Sequence, residues 1–208
     1  MANEFIKWWL TVVKIGFIVE GETEKVLVSS QPFKNWISQF NLELIDHIIN
    51  AKGGGNLLPN KVNDMIETLN NKGADHIFIL TDLEDYPSIS HVKNRIDHPE
   101  INDSFITIVA TESWFLACST ALGFWLGKDS QYYIDDPENR NSEKPFERIK
   151  ALGLQEKNRG CRNKITLAKD MVQRCGFSFE EIIQHPNCSS IKYMETILNL
   201  VSKHLTKI

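Results

Sequence analysis

The sequence predicts an α/β protein in which four strands form a mainly parallel sheet with helices on its faces. Short apolar stretches, suited to buried strands, alternate with stretches of helical periodicity as far as residue 127. The third apolar stretch, from Ile77 to Thr81, carries no charge and stops at acids, which is typical of a strand buried on both faces. This alternation favours right-handed crossovers and therefore parallel strands.

The predicted elements follow the chain in order. Strands are expected at 14–19, at 42–49, within 74–85 and at 104–110. Helices are expected from 22 to about 40 with a break at Pro32, and then at 57–71, 88–96, 114–126, 145–152, 165–175, 179–184 and 190–207. The polar segment 127–142 is rich in Asp, Asn and Pro and predicts a loop. The resulting division is an N-terminal aromatic arm (1–13), an α/β domain (14–127) and a helical, basic C-terminal lobe (128–208).

The ends of the chain and the cysteines bear on location. Phe5, Trp8 and Trp9 suggest an arm for packing or association, and charges interrupt the start, so neither a signal peptide nor a membrane span is expected. The four cysteines are scattered and form no CxxC pair, which indicates reduced thiols and a cytoplasmic protein. Without a membrane span, no membrane partner is expected.

The charges are unevenly distributed. The net charge of −4 argues against a general nucleic-acid binder. Residues 1–139 contain 10 Lys/Arg and 20 Asp/Glu, a net charge of −10, whereas residues 140–208 contain 13 and 7, a net charge of +6. A metal site beside a surface for a phosphate backbone would give this pattern, and so would ordinary solvated helix faces.

Acidic residues follow three of the predicted strands: Glu20 after the first, Asp82, Glu84 and Asp85 after the third, and Glu112 after the fourth. Carboxyl ends of parallel strands meet at one edge of the sheet, where ligands bind. In extended backbone Asp82 and Glu84 point to the same side, and Asp85 points away. Oxygen ligands of this kind suit Mg²⁺ or Mn²⁺. Helix caps and first-turn acids, such as those expected from Glu22 to Glu24, are the structural alternative.

Two other regions are candidates for phosphate contacts. A glycine loop before a helix can direct free N–H groups at an anion, although a plain mobile turn fits the glycines equally well. Basic residues in the tail suit a phosphate backbone, with the solvated start of a helix as the alternative. The candidate residues are Lys52, Gly53, Gly54, Arg159, Arg162 and Lys164.

Two motifs in this order resemble the Toprim domain, a metal-binding, Rossmann-like α/β module of topoisomerases, primases and OLD-family nucleases. The first strand ends in Glu-Gly within IVEGETEK (18–25), and the third ends in Asp-x-Glu within LTDLED (80–85). The segments KGGGN (52–56) and ATESWFLA (110–117) further resemble small stand-alone Toprim-like proteins, several of which belong to bacterial anti-phage systems. The resemblance covers residues 14–126 and is looser in the tail.

This resemblance implies a nuclease that uses Mg²⁺ or Mn²⁺ to hydrolyse DNA or RNA, as an effector of antiviral defence. Glu20 would be the general acid/base or a metal-linked glutamate, Asp82 and Glu84 would be metal ligands, and Asp85 and Glu112 would be further ligand candidates. Glu84 stands where the family more commonly has a second aspartate, which leaves the metal preference open. Two alternatives remain: a catalytically silent subunit that binds a partner protein or its own copy, and a small-molecule phosphoesterase.

Overall fold

The computed structural model describes residues 12–204 and confirms the α/β class, with a four-stranded, Rossmann-like sheet flanked by helices. All strand pairs are parallel, and the strand order is β2-β1-β3-β4. The strands are β1 (Val13–Val19), β2 (Leu42–Asn50), β3 (His76–Asp82) and β4 (Asp103–Thr107). Residues 1–11 of the predicted aromatic arm lie outside the described residues, and β1 begins at Val13, within the range predicted for the arm.

Ten helices occur in the described part of the chain. Those between strands are α1 (Glu22–Val28), α2 (Gln31–Ser38), α3 (Asn63–Asn71) and α4 (Ile89–Arg95). Those after β4 are α5 (Glu112–Ala117), α6 (Ser119–Trp125), α7 (Pro145–Lys157), α8 (Lys164–Arg174), α9 (Phe179–Gln184) and α10 (Ser189–His204). Within residues 12–204 no helix combines the length and the apolar character that a membrane crossing requires.

In the first half of the chain one predicted boundary is confirmed and one is corrected. The break at Pro32 is confirmed, because α1 ends at Val28 and α2 starts afresh with the Ser30 hydroxyl accepting the Phe33 N–H. The helix predicted at 57–71 begins only at Asn63, since a turn around Pro59 precedes it. A short 3-10 turn at Gly54–Asn56 stands before that segment.

The end of β4 also differs from the prediction. The strand stops at Thr107 instead of continuing to 110, and Val109 has a φ of +68°, a left-handed value that turns the chain out of the sheet. The helix predicted at 114–126 is two helices, α5 and α6, because Cys118 has a ψ of +86° that interrupts the helical backbone. The early turn brings the start of α5 back over the edge of the sheet.

The two faces of the sheet carry separate hydrophobic clusters, because successive residues of a strand point to opposite faces. Phe17, Phe78 and Phe105 lie in the larger cluster, whereas their neighbours Ile18, Ile79 and Ile106 lie in the other. Helices α3 and α4 cover the smaller cluster through Ile66, Leu69 and Val92. The larger cluster includes buried residues of α8, α9 and α10. The basic C-terminal region therefore shares a core with the sheet.

Candidate functional site

A buried group of carboxyl side chains lies beyond the carboxyl ends of β1 and β3. Asp82 is the last residue of β3, Glu24 lies in the first turn of α1, and Glu112 is the first residue of α5. Glu24 is 5% and Glu112 is 1% exposed, while Asp82 is largely buried and lines a cleft with Glu112. We call Glu24, Asp82 and Glu112 the acidic cluster.

Asp82 is held in place by hydroxyl and amide donors. Its Oδ1 accepts from the Thr107 hydroxyl at 2.5 Å, the Thr111 N–H at 2.9 Å and the Thr111 hydroxyl at 2.8 Å. Such donors favour the charged carboxylate. Burial, together with repulsion from Glu24 and Glu112, outweighs them and raises the pKa of Asp82 well above its ordinary value. Asp82 is therefore fixed in orientation and short of positive charge.

Glu24 shares this electrostatic environment. Burial raises the pKa of Glu24 above its ordinary value, and repulsion from Glu112 and Glu20 raises it further. The hydrogen bond from Thr111 lowers this pKa but does not outweigh the burial. The backbone of Gly21 is extended, a conformation that any residue can adopt. Glycine instead leaves room for the Glu24 side chain, because a Cβ at this position would lie 3.0 Å from Glu24 Oε2. The helix α1 thus places a second protonation-prone carboxyl group beside Asp82.

Lys164 is the cation that faces the acidic cluster. Its Nζ donates to Glu112 Oε2 at 3.1 Å, and its side chain remains 49% exposed. Burial lowers the pKa of Lys164, but attraction to Glu112, Asp82 and Glu24 outweighs it, so the pKa lies above its ordinary value. The other oxygen of Glu112, Oε1, is buried and has no hydrogen-bond partner among the described residues. Within residues 12–204, Lys164 is therefore the lysine that interacts with all three carboxyl groups.

The cleft above the acidic cluster has a volume of about 110 Å³. Its walls come from the ends of β3 and β4 and from the starts of α7 and α8. The lining residues are Asp82, Glu84, Asp85, Val109, Ala110, Glu112, Lys144, Pro145, Phe146, Glu147 and Lys164. The cleft is small, polar at its base and open to solvent at its rim.

Glu20 has a different environment from the one its position suggested. Its Oε1 accepts the Gly54 N–H at 3.0 Å, and its Oε2 accepts the Thr81 hydroxyl and, at 3.4 Å, the Asp82 N–H. A Cβ on Gly54 would lie 3.1 Å from Glu20 Oε1, so glycine makes this approach possible. Glu20 therefore ties the glycine loop to the end of β3.

The glycine loop uses its amide groups within the chain. The Gly53 N–H donates to the Glu20 carbonyl oxygen at 2.8 Å, and the Gly54 N–H donates to the Glu20 carboxylate. Arg95 donates to the Gly54 carbonyl oxygen at 3.2 Å, and the Lys52 side chain is exposed. The anion held by this loop in the structure is the protein's own carboxylate.

The extended backbone expected from Asp82 to Glu84 ends at Asp82. Leu83 is buried in the smaller hydrophobic cluster, and Glu84 has a φ of +48°. Glu84 is therefore exposed at the rim of the cleft and does not join Asp82 in the acidic cluster. Asp85 is exposed as well and forms an ion pair with Lys144 at 3.4 Å.

The tail residues are divided between two places. Lys164 lies at the cleft, whereas Arg159 and Arg162 line a separate groove between α7 and α8. The structure thus brings Asp82, Glu112 and Lys164 together, with Glu20 beneath them. It leaves Arg159 and Arg162 outside the cleft.

Sequence reasoning treated Glu24 as a first-turn helix acid and did not single out Thr107 or Thr111. The available signal was the closeness of Glu24 to Glu20 in the sequence, which places Glu24 in the first turn of the helix that follows the first strand. The threonines carry no motif, because their role depends on β4 lying beside β3.

The donor set can be compared with what a divalent cation requires. Among residues 12–204, no three His, Cys, Asp or Glu side chains converge on a point where they could hold a metal ion. Mg²⁺, however, is usually held by one or two carboxylates, with waters and substrate phosphate oxygens completing the octahedron. The excess of negative charge and the unpartnered Glu112 Oε1 fit that arrangement, with Asp82 and Glu112 as the carboxylates.

Searches against protein-family models, curated proteins and solved structures find no match for the chain. The Toprim resemblance stays a prediction from the motifs.

Proposed function

We propose that this protein is a hydrolase of nucleic-acid phosphodiester bonds that depends on Mg²⁺ or Mn²⁺. The observation that carries the proposal is the acidic cluster, in which burial and mutual repulsion raise the pKa of Asp82 and Glu24 while one lysine faces three carboxyl groups. Buried like charges cost free energy, and such arrangements concentrate at functional sites.

The residues of the chain take distinct parts in this proposal. Asp82 and Glu112 would hold the cation, with Asp82 oriented by Thr107 and Thr111. The cation would supply neutralisation of the phosphodiester charge and a more acidic water. Lys164, half exposed above Glu112, would bind a non-bridging phosphate oxygen.

Glu20 is assigned a positioning part instead of the acid/base part that the resemblance implied. Both of its oxygens accept hydrogen bonds from the protein, and one donor is the backbone N–H of Asp82. Glu20 therefore fixes the end of β3, on which the direction of the Asp82 side chain depends.

Backbone strain at the cleft supports a functional site. Glu84 and Val109 both have left-handed φ values, +48° and +68°, and both line the cleft. A left-handed β-branched residue is costly, and strained residues cluster at active sites. The Glu84 N–H donates to the Val109 carbonyl oxygen at 3.0 Å, which joins the two strained turns. A part in antiviral defence is a further proposal that rests on the motif resemblance.

The direct experiment is a cleavage assay with Mn²⁺ or Mg²⁺ on supercoiled plasmid, single-stranded DNA and structured RNA. The test variant is Asp82→Asn, which keeps the shape of the side chain and removes its charge. We expect wild-type cleavage and at least a 100-fold loss in Asp82→Asn, because a carboxylate that would hold the cation is gone. Asp85→Asn, at the exposed rim, is the matched control and should retain activity.

Thermal unfolding of both variants verifies that they fold. If Asp82→Asn cleaves as fast as wild type, or if wild type cleaves none of the three polymers with either cation, the proposed function is wrong. The preferred polymer would distinguish a deoxyribonuclease from a ribonuclease.

A further inference from the structure

A second, larger depression lies farther along α7 and α8 than the cleft. It has a volume of about 840 Å³ and is bounded by α6, α7, α8 and the loop between the last two. Five of its lining residues are basic and one is acidic. The lining residues are Phe124, Trp125, Lys150, Leu154, Lys157, Arg159, Gly160, Cys161, Arg162, Thr166, Asp170, Arg174 and Cys175, and we call this depression the basic groove.

The charge at the centre of the basic groove is uncompensated. Lys150 pairs with Glu147 and Arg174 pairs with Asp170, but within residues 12–204 neither Arg159 nor Arg162 forms an ion pair. Both arginines are exposed. Exposed guanidinium groups without a carboxylate partner are suited to phosphate groups, which they can contact through two N–H donors at once.

The wall of the basic groove contains aromatic side chains. Lys157 lies over the Trp125 ring with its Nζ 3.3 Å from the ring centroid. Phe124, the neighbouring residue, is 63% exposed. An exposed aromatic ring beside a row of cations is the arrangement that single-stranded nucleic acid uses, since unpaired bases stack on the ring while the backbone follows the charges.

Close packing fixes the loop that carries the arginines. Asn158 ends α7 in left-handed backbone, and the Arg159 N–H donates to the Gly153 carbonyl oxygen at 3.0 Å. A Cβ on Gly153 would lie 2.7 Å from both the Arg159 carbonyl oxygen and the Trp125 ring. The glycine therefore allows the loop and the indole to meet against α7, and this contact sets the position of Arg159.

The same two helices connect the basic groove to the cleft. The start of α7, at Pro145, lines the cleft, whereas its last turn, at Lys157, lines the groove. At a rise of 1.5 Å per residue this separation is about 18 Å along the helix. Lys164 faces the acidic cluster, and Arg162, two residues earlier, faces the groove. A strand that extends from the groove must therefore follow α7 for about 18 Å to reach the cleft.

We infer that the basic groove binds single-stranded nucleic acid, with the backbone on Arg159 and Arg162 and a base stacked on Phe124. The strand is directed along α7 and α8 toward the acidic cluster, which makes single strands the substrate class. Only this last step rests on the proposed function. Binding in the groove requires no cation and no turnover.

The test is fluorescence anisotropy with a labelled 20-nucleotide oligothymidylate, the matching oligouridylate and a duplex of equal length, all in EDTA. We expect both single strands to bind more tightly than the duplex. Arg159→Gln/Arg162→Gln should weaken binding to the single strands at least tenfold. It should also reduce the steepness with which the logarithm of the association constant falls with the logarithm of salt concentration by about 1.4, as expected for two lost phosphate contacts. The control, Lys34→Gln/Lys72→Gln, makes the same charge change on exposed residues of α2 and the α3 C-terminus and should bind as wild type.

Phe124→Leu separates stacking from apolar contact. Leucine keeps an apolar side chain but has no ring, so single-strand affinity should fall about tenfold with the salt slope unchanged. Wild-type affinity in the arginine double variant, or duplex binding equal to that of the single strands, would overturn the inference. If binding behaves as expected and no polymer is cleaved with Mn²⁺, the groove is correct and the proposed catalytic function fails.

Discussion

The starts of α7 and α8 line the cleft above the acidic cluster, and the basic groove lies farther along the same two helices, but the cluster and the groove differ in burial. In the acidic cluster, Glu24 and Glu112 are almost fully buried and Asp82 largely so, and the pKa values of Asp82 and Glu24 are raised. In the groove, Arg159 and Arg162 are exposed, and solvent and salt screen their charges. Charge in the cluster therefore costs stability, whereas charge in the groove costs little.

This contrast indicates how each site would act on an anionic polymer. Exposed cations attract a polyanion over a long range and are sensitive to salt. Buried carboxylates repel the same polyanion unless a divalent cation lies between them. Under the proposed function the two regions would be complementary, since the groove would gather the strand and the cluster would need a cation to accept it.

The largest expected effect comes from removing one charge of the acidic cluster. Asp82→Asn should stabilise the protein in EDTA at pH 8 by about 1 kcal/mol, a rise in Tm of a few degrees, because it removes a buried, repelled carboxylate and keeps an oxygen for Thr107 and Thr111. Differential scanning calorimetry checks this. A lower Tm would show that Asp82 contributes net stability as a charged group, which would contradict the contrast.

The pH dependence of stability has a definite sign. Asp82 and Glu24 have pKa values above their ordinary 3.8 and 4.5, so as pH rises past about 4 the unfolded chain loses these protons first. The free energy of unfolding therefore falls as pH rises, until pH passes the raised pKa values of Asp82 and Glu24 in the folded protein. Urea unfolding in EDTA should show this decline, and Asp82→Asn should make it shallower. If the free energy of unfolding falls equally steeply with pH in wild type and in Asp82→Asn, Asp82 does not cause the decline.

An intermediate effect is expected at Lys164. Lys164→Gln leaves the Glu112 carboxylate without its cation, and we expect a loss of about 0.5–1 kcal/mol. The half-exposed position of Lys164 keeps the loss below that of a fully buried pair. Glu112→Gln in the same chain should recover most of it, which a double-mutant cycle measures. Additive effects would mean that the two residues do not interact.

The smallest effect is expected at the rim of the cleft. Glu84→Gln/Asp85→Asn removes two exposed acids, so stability should change by less than about 0.5 kcal/mol and cleavage by only a few-fold. The measurements are urea unfolding and the cleavage assay. If Glu84→Gln/Asp85→Asn loses as much activity as Asp82→Asn, the reactive group is the Asp-x-Glu pair and not the acidic cluster.

The sheet could be predicted from the sequence because its signals are local. Apolar runs bounded by Gly and acids predicted all four strands, and the parallel pairing followed from the alternation with helices. The boundaries that failed depend on single backbone angles. Val109 ends β4 early through a left-handed φ, and no residue-type preference of valine indicates that conformation.

The candidate site could be predicted only in part, because membership depends on burial and on neighbours from distant segments. Asp82 and Glu112 were placed correctly at one edge of the sheet, since strand ends follow from strand positions. Glu84 was expected beside Asp82, but the left-handed turn after Leu83 moves it to the rim. Glu24 was undervalued, because its burial follows from the packing of α1 against α8, which no local pattern encodes.

The most direct test of the central claim is Mn²⁺ binding by isothermal titration calorimetry to wild type, Asp82→Asn and Glu84→Gln. The acidic cluster predicts a saturable Mn²⁺ site in wild type that is lost in Asp82→Asn and kept in Glu84→Gln, because Asp82 belongs to the cluster and Glu84 does not. Absence of binding to wild type at millimolar Mn²⁺, or undiminished binding to Asp82→Asn, would contradict it.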